Sequence, residues 1–305
     1  MKREEKILAV QRMQDYIKNH MTETITLKEL ADCAGYSPFH CSRIFKELTG
    51  KSPFDYIRAL RLSKAALKLR DEEKVKVVDV ALDFVFDSHE GFTRAFSKAF
   101  GITPHRYSKN PPPIKLFMPD PVKDWYLTMK EGEERMKIYE KQIDTVFVQV
   151  IERPARKLMV KWAKSAGEYF AYCEEVGCDI WGVLCSVKEA LYEPVGLWMP
   201  ERFRPAHAGR YAQGVELPVD YDGPVAEGFD LIELPPCKMM VFQGEPFEDE
   251  KFYQAVKDIE EVIDSYEPEL YGFEWADNDG PRFQLEPQGY RGYIEARPVR
   301  GKMEN

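Results

Sequence analysis

Residues 30–37 read Leu30-Ala31-Asp32-Cys33-Ala34-Gly35-Tyr36-Ser37, and Pro38 follows them. Leu30 and Ala31 continue an apolar stripe that begins at Leu27, and Gly35 can adopt the positive φ of a tight turn. Ser37 can cap a new helix in which Pro38 takes the first position. The stretch therefore predicts a helix, a tight turn and a second helix.

The same pattern occurs again further along the chain. In the first helix and the turn, Ala31 corresponds to Ala81 and Tyr36 to Phe86 at an offset of 50 residues. The later residues are offset by 51, so the second turn is one residue longer. From there on, six residue pairs are identical at an offset of 51: Ser37 and Ser88, Arg43 and Arg94, Phe45 and Phe96, Gly50 and Gly101, Pro53 and Pro104, Tyr56 and Tyr107. Such spacing indicates one supersecondary unit that is used twice.

The second helix of the first copy is predicted to be amphipathic. It would bury Cys41, Ile44, Phe45 and Leu48 and leave four residues outside, namely Phe39, Ser42, Arg43 and Lys46. An outward arginine and aromatic residue near a helix start suit the major groove of DNA, although a single copy could equally be a solvated helix face. The repetition favours DNA binding.

Residues 53–70 join the two copies and place apolar residues at helical spacing, namely Phe54, Ile57, Leu60, Leu62, Ala65, Ala66 and Leu69. We expect a rigid connecting helix of about 16 residues within this segment, which would be about 24 Å long at 1.5 Å per residue. Such a helix would help to hold two recognition helices about one DNA turn apart, roughly 34 Å.

The charge of the chain is divided unevenly. Residues 1–109 contain 20 Lys and Arg against 15 Asp and Glu, a net charge of +5, whereas the rest of the 305-residue chain has a net charge of -14. The first part would attract DNA phosphates and the second would repel them. The charged start and the lack of any apolar run of roughly 18 residues predict a cytoplasmic protein without membrane contact.

The composition predicts two domains and no bound cofactor. The six cysteines include no CxxC pair, so we expect reduced thiols and no metal site. The run Asn110-Pro111-Pro112-Pro113 predicts the end of a first domain, 1–109, and a Pro-rich linker, 110–144, in which Asp124–Ile143 could form a helix. The second domain would span 145–305.

The second domain also repeats a pattern. Pro154–Val160 resembles Pro235–Val241, and each is followed by one predicted helix and two predicted strands. The helices are expected near 167–176 and 252–266, and the strand pairs at 196–199 with 210–217 and at 282–286 with 292–297. The fold class is thus multidomain: an all-α double helix-turn-helix domain and an α+β domain of duplicated β-α-β-β units, with an antiparallel sheet and two helices.

The first domain closely resembles the AraC/XylS family of transcription regulators. The resemblance covers residues 7–108 and rests on the stretch at 30–37 and on Arg43-Ile44-Phe45-Lys46, Gly50-Lys51-Ser52-Pro53, Tyr56-Ile57-Arg58, Arg61-Leu62 and Gly101-Ile102-Thr103-Pro104. It implies binding to double-stranded promoter or operator DNA, with RNA polymerase as a further partner. The implied base contacts are Phe39, Ser42 and Arg43 in the first unit and His89, Glu90, Thr93 and Arg94 in the second.

The second copy departs from the family pattern. Val85 stands before Phe86 where a glycine is usual, and Gly91 stands where a tyrosine is common. Glu90 could read cytosine N4 or could simply be solvated. We therefore expect the second unit to dock on DNA less firmly than the first.

The second domain is similar to GyrI-like domains over residues 145–300. The similarity rests on Arg210-Tyr211, Val215-Glu216-Leu217-Pro218, Gly228-Phe229-Asp230 and Phe242-Gln243-Gly244-Glu245-Pro246-Phe247. It implies an effector site for a small aromatic or cationic molecule in a groove between the two repeats. Gln284 occupies the place of the usual acid, and Glu286, two residues on, could supply the charge instead.

Strand alternation groups the candidate ligand residues, which are Trp198, Tyr211, Gln284, Glu286, Tyr293 and Glu295. The excess of acidic residues could instead serve only solubility, and most aromatic residues of the domain could belong to its core. The leading hypothesis is a ligand-responsive regulator that is not an enzyme. The alternatives are a small-molecule hydrolase with Glu286 or Glu295 as general acid or base, and a protein-interaction module.

Overall fold

The computed structural model describes residues 3–119, 122, 145–177, 179–248 and 251–302. The chain divides into two compact units, residues 1–134 and residues 135–305, called here the helical unit and the sheet unit. The helix predicted for Asp124–Ile143 lies outside the described residues. None of the helices in the described ranges is long and apolar enough to cross a membrane.

The described part of the helical unit forms seven helices. Their bounds are α1 Arg3–Asn19, α2 Leu27–Ala34, α3 Pro38–Thr49, α4 Pro53–Asp71, α5 Val77–Asp83, α6 His89–Phe100 and α7 Pro104–Lys109. The predicted helix-turn-helix pairs are α2 with α3 and α5 with α6, and the predicted connecting helix is α4. The helical nature of the first unit is confirmed.

Local capping chemistry explains where the first helix-turn-helix pair begins and turns. The Thr26 backbone N–H donates to Glu29 Oε2 at 2.7 Å, and the Glu29 N–H donates to Thr26 Oγ1 at 3.3 Å, which closes a capping box at the start of α2. Gly35 ends α2 with a φ of 75°. Ser37 Oγ then accepts from the His40 N–H at 3.4 Å and starts α3.

The α4 helix contributes to two separate hydrophobic cores. Tyr56 and Ile57 pack with residues of α1, α2 and α3, whereas Ala65 and Leu69 pack with residues of α5, α6 and α7. Phe54, one of the apolar residues at helical spacing in the predicted connecting helix, does not join either core and is 47% exposed. Successive helix positions differ by about 100°, so Phe54 lies outside the arc that buries its neighbours Pro53 and Ile57.

The chain after the proline run stays packed on the helical unit. Ile114 and Leu116 are buried in the second core, and the Phe117 N–H donates to Ser63 Oγ at 2.7 Å. The Phe117 ring also packs edge-on against Tyr56. Residues 111–117 therefore form part of the helical unit, whereas the sequence predicts a linker from residue 110.

The described part of the sheet unit contains nine strands and three α-helices. The strands are β1 Phe147–Arg153, β2 Arg156–Trp162, β3 Val195–Trp198, β4 Tyr211–Leu217, β5 Asp230–Leu234, β6 Cys237–Gln243, β7 Phe273–Trp275, β8 Arg282–Leu285 and β9 Ile294–Gly301. The helices are α8 Tyr169–Val176, α9 Ile180–Cys185 and α10 Phe252–Ser265. The predicted antiparallel sheet is confirmed, but β1, β5, β7 and α9 are absent from the prediction.

The strand order of the sheet is symmetric about its centre when each strand is matched with an equivalent strand in the other half. The order is β1-β6-β9-β8-β3-β4-β2-β5, and β7 pairs with β9. Exchanging β1 with β5, β2 with β6, β3 with β8 and β4 with β9 reproduces this order in reverse. All the pairs are antiparallel. The arrangement places β3 and β8 at the centre, and its origin in a duplicated β-α-β-β unit stays a prediction.

The turn of the second helix-turn-helix pair carries backbone strain. Val85 has a φ of 59° and is the one non-glycine residue with positive φ in the described ranges. The left-handed region costs a β-branched residue about 1–3 kcal/mol, which exceeds the roughly 0.4–1 kcal/mol by which a glycine's extra flexibility favours the unfolded chain. We predict that Val85→Gly raises the free energy of unfolding of the full chain by about 1 kcal/mol, measured by chemical denaturation.

Gly35→Val is the matched reverse substitution. An added Cβ at Gly35 has no heavy atom within 4 Å, so the Cβ itself meets no clash and the main cost of the change is the backbone conformation. It is expected to destabilise the chain by about 1–2 kcal/mol. Equal stability of Val85→Gly and the unmodified protein would show that the positive φ carries no net strain.

Candidate functional site

The α3 helix presents the predicted base-reading residues of the first unit. Phe39 is 81% exposed, Arg43 and Lys46 are exposed, and Ser42 is half-buried. Arg43 Nη2 donates to His40 Nδ1 at 3.4 Å, and the His40 ring packs against Tyr36 in the turn. The turn therefore helps to orient the arginine.

The α6 helix presents a different surface. His89, Glu90 and Arg94 are exposed, but the hydroxyl oxygen of Thr93 is buried and has no hydrogen-bond partner among the described residues. Thr93 would need to rearrange before this oxygen could contact a base. Glu90 also places a negative charge in the first turn of α6, where a DNA phosphate would otherwise be favoured.

In the sheet unit, a strip of side chains lies on the face that carries α8 and α10. The central strip consists of Gly196 and Trp198 on β3 and Arg282 and Gln284 on β8. Cross-strand pairing places Gly196 opposite Gln284 and Trp198 opposite Arg282, so all four residues share one face. Residues of α8 pack beside it against Tyr211, and residues of α10 pack on its other side against Tyr293.

Three buried residues flank the central strip and bond to it. Tyr211 and Glu295 are 0% exposed and Tyr293 is 1% exposed. Gln284 Nε2 donates to Tyr211 Oη at 3.1 Å, while Tyr293 Oη lies 3.0 Å from Gln284 Oε1 and 3.1 Å from Glu295 Oε2. Five of the six predicted ligand residues thus belong to one connected group.

Glu286 belongs to a different group. It lies one residue beyond the end of β8, and its Oε2 accepts from Gln288 Nε2 at 3.0 Å. The two acids of the hydrolase alternative, Glu286 and Glu295, are therefore held by different partners.

A cavity of about 600 Å³ in the sheet unit is lined by none of the six predicted ligand residues. Its lining is Glu245, Pro246, Phe247, Glu248, Lys251, Gln254, Ala255, Asp258, Gly289 and Tyr290.

Arg282 completes the group, although sequence analysis does not single it out. Its Nε donates to Glu295 Oε1, and its guanidinium carbon lies 5.1 Å from the centroid of the Trp198 ring. The available signal is its position two residues before Gln284, which puts both side chains on the same strand face. The pairing with Glu295 depends on the β8–β9 register, which the sequence pattern does not specify.

Burial and charge determine the ionisation of this group. Burial raises the pKa of Glu295, and the contacts with Arg282 and Tyr293 oppose that rise. Burial also raises the pKa of Tyr211 and of Tyr293 well above the ordinary value, so both remain neutral hydroxyls. For Arg282, burial acts to lower the pKa, but the charge of Glu295, the hydrogen bond to it and the smaller contributions of Tyr293 and Asp264 together raise the pKa more, so the net shift is upward.

Gly196 makes room for the Tyr211 hydroxyl. A Cβ added at Gly196 would lie 2.0 Å from Tyr211 Oη and 3.0 Å from Gln284 Cγ. We predict that Gly196→Ala destabilises the full chain by about 1–3 kcal/mol, because Tyr211 must move and its hydrogen bond to Gln284 must break. Thermal or chemical denaturation measures this loss.

The double variant Gly196→Ala/Tyr211→Phe provides the control. Removing the hydroxyl takes away the nearest clash, so the double variant should lose less stability than the sum of the single variants. Simple additivity of the two losses would mean that the hydroxyl does not cause the effect of Gly196→Ala.

Known proteins match the helical unit. The family model for a helix-turn-helix domain matches residues 30–110. The right origin-binding protein of Escherichia coli strain K12 is 40% identical over 109 residues, which cover 33% of this chain and 37% of that protein. The probable transcription factor PqrA of Proteus vulgaris is 38% identical over 88 residues, which cover 29% of this chain and 71% of that protein.

A solved transcriptional regulator from Chromobacterium violaceum, described as having an AraC-type DNA-binding domain, is 24% identical with a TM-score of 0.32. The match covers 33% of this chain and 90% of that one. This chain spans little more than a third of the length of the right origin-binding protein, at 37%, but more than two thirds of PqrA, at 71%. Through its helix-turn-helix domain, the protein belongs to the AraC/XylS family of transcription regulators.

Proposed function

We propose that this protein is a sequence-specific DNA-binding transcription regulator that responds to a small hydrophobic or aromatic molecule, with an organic cation as the favoured class. The helical unit binds double-stranded promoter DNA, and the sheet unit acts as a GyrI-like effector-binding domain built from two β-α-β-β units. Effector binding changes promoter occupancy or contact with RNA polymerase.

The exposed face of α3 supports the DNA-binding part of the proposal. Phe39 and Arg43 project from the first turns of a helix that is capped and oriented by its preceding turn. The shared connector α4 supports the use of both helix-turn-helix pairs on one DNA duplex. With 19 residues, α4 is about 28 Å long at 1.5 Å per residue.

The central strip is the observation that carries the effector-binding part. Trp198, Arg282 and Gln284 are partly exposed there, whereas the neighbouring Tyr211, Tyr293 and Glu295 are fully buried. Gln213 lies directly opposite Gly196 on β4, and its buried Oε1 has no hydrogen-bond partner among the described residues. Aromatic surface combined with a few convergent polar groups is typical of small-molecule sites.

Arg43→Ala tests the DNA-binding part. An operator selected by the full-length protein from random-sequence DNA should be bound about tenfold or more weakly by this variant, because a bidentate arginine–guanine contact contributes about 1–3 kcal/mol. Fluorescence anisotropy at several salt concentrations measures the affinity. Arg94→Ala should reduce the affinity less, since we expect α6 to dock on DNA less firmly than α3.

Arg43→Lys separates base reading from charge. The lysine keeps the phosphate attraction but loses the planar bidentate geometry, so it should retain nonspecific binding and lose operator preference. If Arg43→Ala binds the operator as tightly as the unmodified protein, the base-reading role assigned to Arg43 is wrong.

Tetraphenylphosphonium is a suitable probe for the effector-binding part. Titration of the full-length protein should quench tryptophan fluorescence saturably, and the part of the signal from Trp198 should be absent in Trp198→Phe. Tetramethylammonium carries the same charge without aromatic surface and should bind far more weakly. No saturable response to tetraphenylphosphonium would contradict the cationic-effector proposal.

A further inference from the structure

The guanidinium of Arg282 occupies the central strip in the way that a bound organic cation would. It lies over the Trp198 ring at 5.1 Å from the centroid and donates to the buried carboxylate of Glu295. An aromatic ring and a desolvated carboxylate are the two groups that recognise an organic cation most strongly. Both are already engaged by a side chain of the protein itself.

The charges around the strip favour a cation at this position. Asp264 on α10 acts with Glu295 to hold the Arg282 guanidinium in its charged form. The negative charge of Glu260 on the same helix helps to raise the pKa of Glu295 and of Tyr293, and that of Glu168 at the start of α8 helps to raise the pKa of Tyr211. Lys257 lies close by but is paired with Glu260 at 2.8 Å.

Arg282 can leave this position more readily than its partners can. Its side chain is 22% exposed, whereas that of Glu295 is 0% exposed. A long arginine side chain at the solvent boundary can move its charged end into water while its stem stays packed. The carboxylate and Trp198 would then remain in place for another cation.

We propose that Arg282 is an internal occupant of the cation site on the central strip, and that an organic cation binds by displacing its guanidinium from Trp198 and Glu295. The inference rests on the proposed effector function of the sheet unit. Arg282 then limits how tightly the site binds any ligand, because each ligand must compete with a guanidinium that is part of the protein chain. Cations that stack only weakly on an aromatic ring would not displace the guanidinium and would not bind.

Arg282→Gln tests this inference in the full-length protein with tetraphenylphosphonium as the probe. Glutamine removes the charge and keeps an N–H donor for Glu295, so the fold should be preserved. The affinity should rise about tenfold or more, equivalent to about 1.4 kcal/mol. Arg282→Gln/Glu295→Gln should lose this gain, because it also removes the carboxylate.

Arg297→Gln is the matched control. Arg297 stacks over Trp275 at 4.3 Å and pairs with Asp277 at 2.7 Å, so it repeats the chemistry of Arg282 in the same unit but away from the central strip. This variant makes the same change in net charge and should bind the probe as the unmodified protein does. Arg282→Lys provides an independent variant with intermediate affinity, because an ammonium stacks on an aromatic ring less well than a guanidinium.

The outcomes separate the inference from the proposed function. If Arg282→Gln and Arg282→Lys both bind the probe no more tightly than the unmodified protein, or if Arg297→Gln gains as much affinity as Arg282→Gln, Arg282 is not an internal occupant, although the strip still binds cations. If neither the unmodified protein nor any variant binds the probe, both the inference and the cationic-effector proposal are overturned.

Discussion

The helical unit depends on one helix that is packed into two hydrophobic cores. Tyr56 and Ile57 at one end of α4 and Ala65 and Leu69 at the other are buried among different sets of helices. Because an α-helix resists bending over this length, the two helix-turn-helix pairs cannot move independently without breaking one of the cores. The packing of α4 therefore fixes the spacing between the two helix-turn-helix pairs.

The sheet unit obtains its candidate site from the centre of its strand order. The helices α8 and α10 pack toward opposite sides of one sheet face, and the central strands β3 and β8 lie between them. Trp198, Arg282 and Gln284 are partly exposed there, and the buried Tyr211 and Tyr293 flank them. This arrangement places buried polar groups directly beside a partly exposed strip of the sheet.

Sequence reasoning predicts most of the helical unit because its signals are local. Glycine at the turns, serine or threonine before a proline and the 51-residue offset all specify backbone geometry directly. The exposure of Phe54 and the packing of Ile114 and Leu116 depend instead on which helices approach α4, so they could not be predicted in this way. In the sheet unit, alternation predicts the central strands, but β1 and β5 lack a regular alternation because both lie at sheet edges. The contact between Arg282 and Glu295 requires a register between two strands, and no local signal carries it.

The positive φ of Val85 also has a consequence for motion. Strain in a folded turn is released when the turn opens, so the free energy of local opening is lower there than at the relaxed Gly35 turn. The pair α5–α6 should therefore exchange its amide hydrogens faster than α2–α3 does. Under the proposed DNA-binding function, the first pair would hold the DNA firmly, and the second pair, which opens more easily, would adjust to variation in the operator sequence.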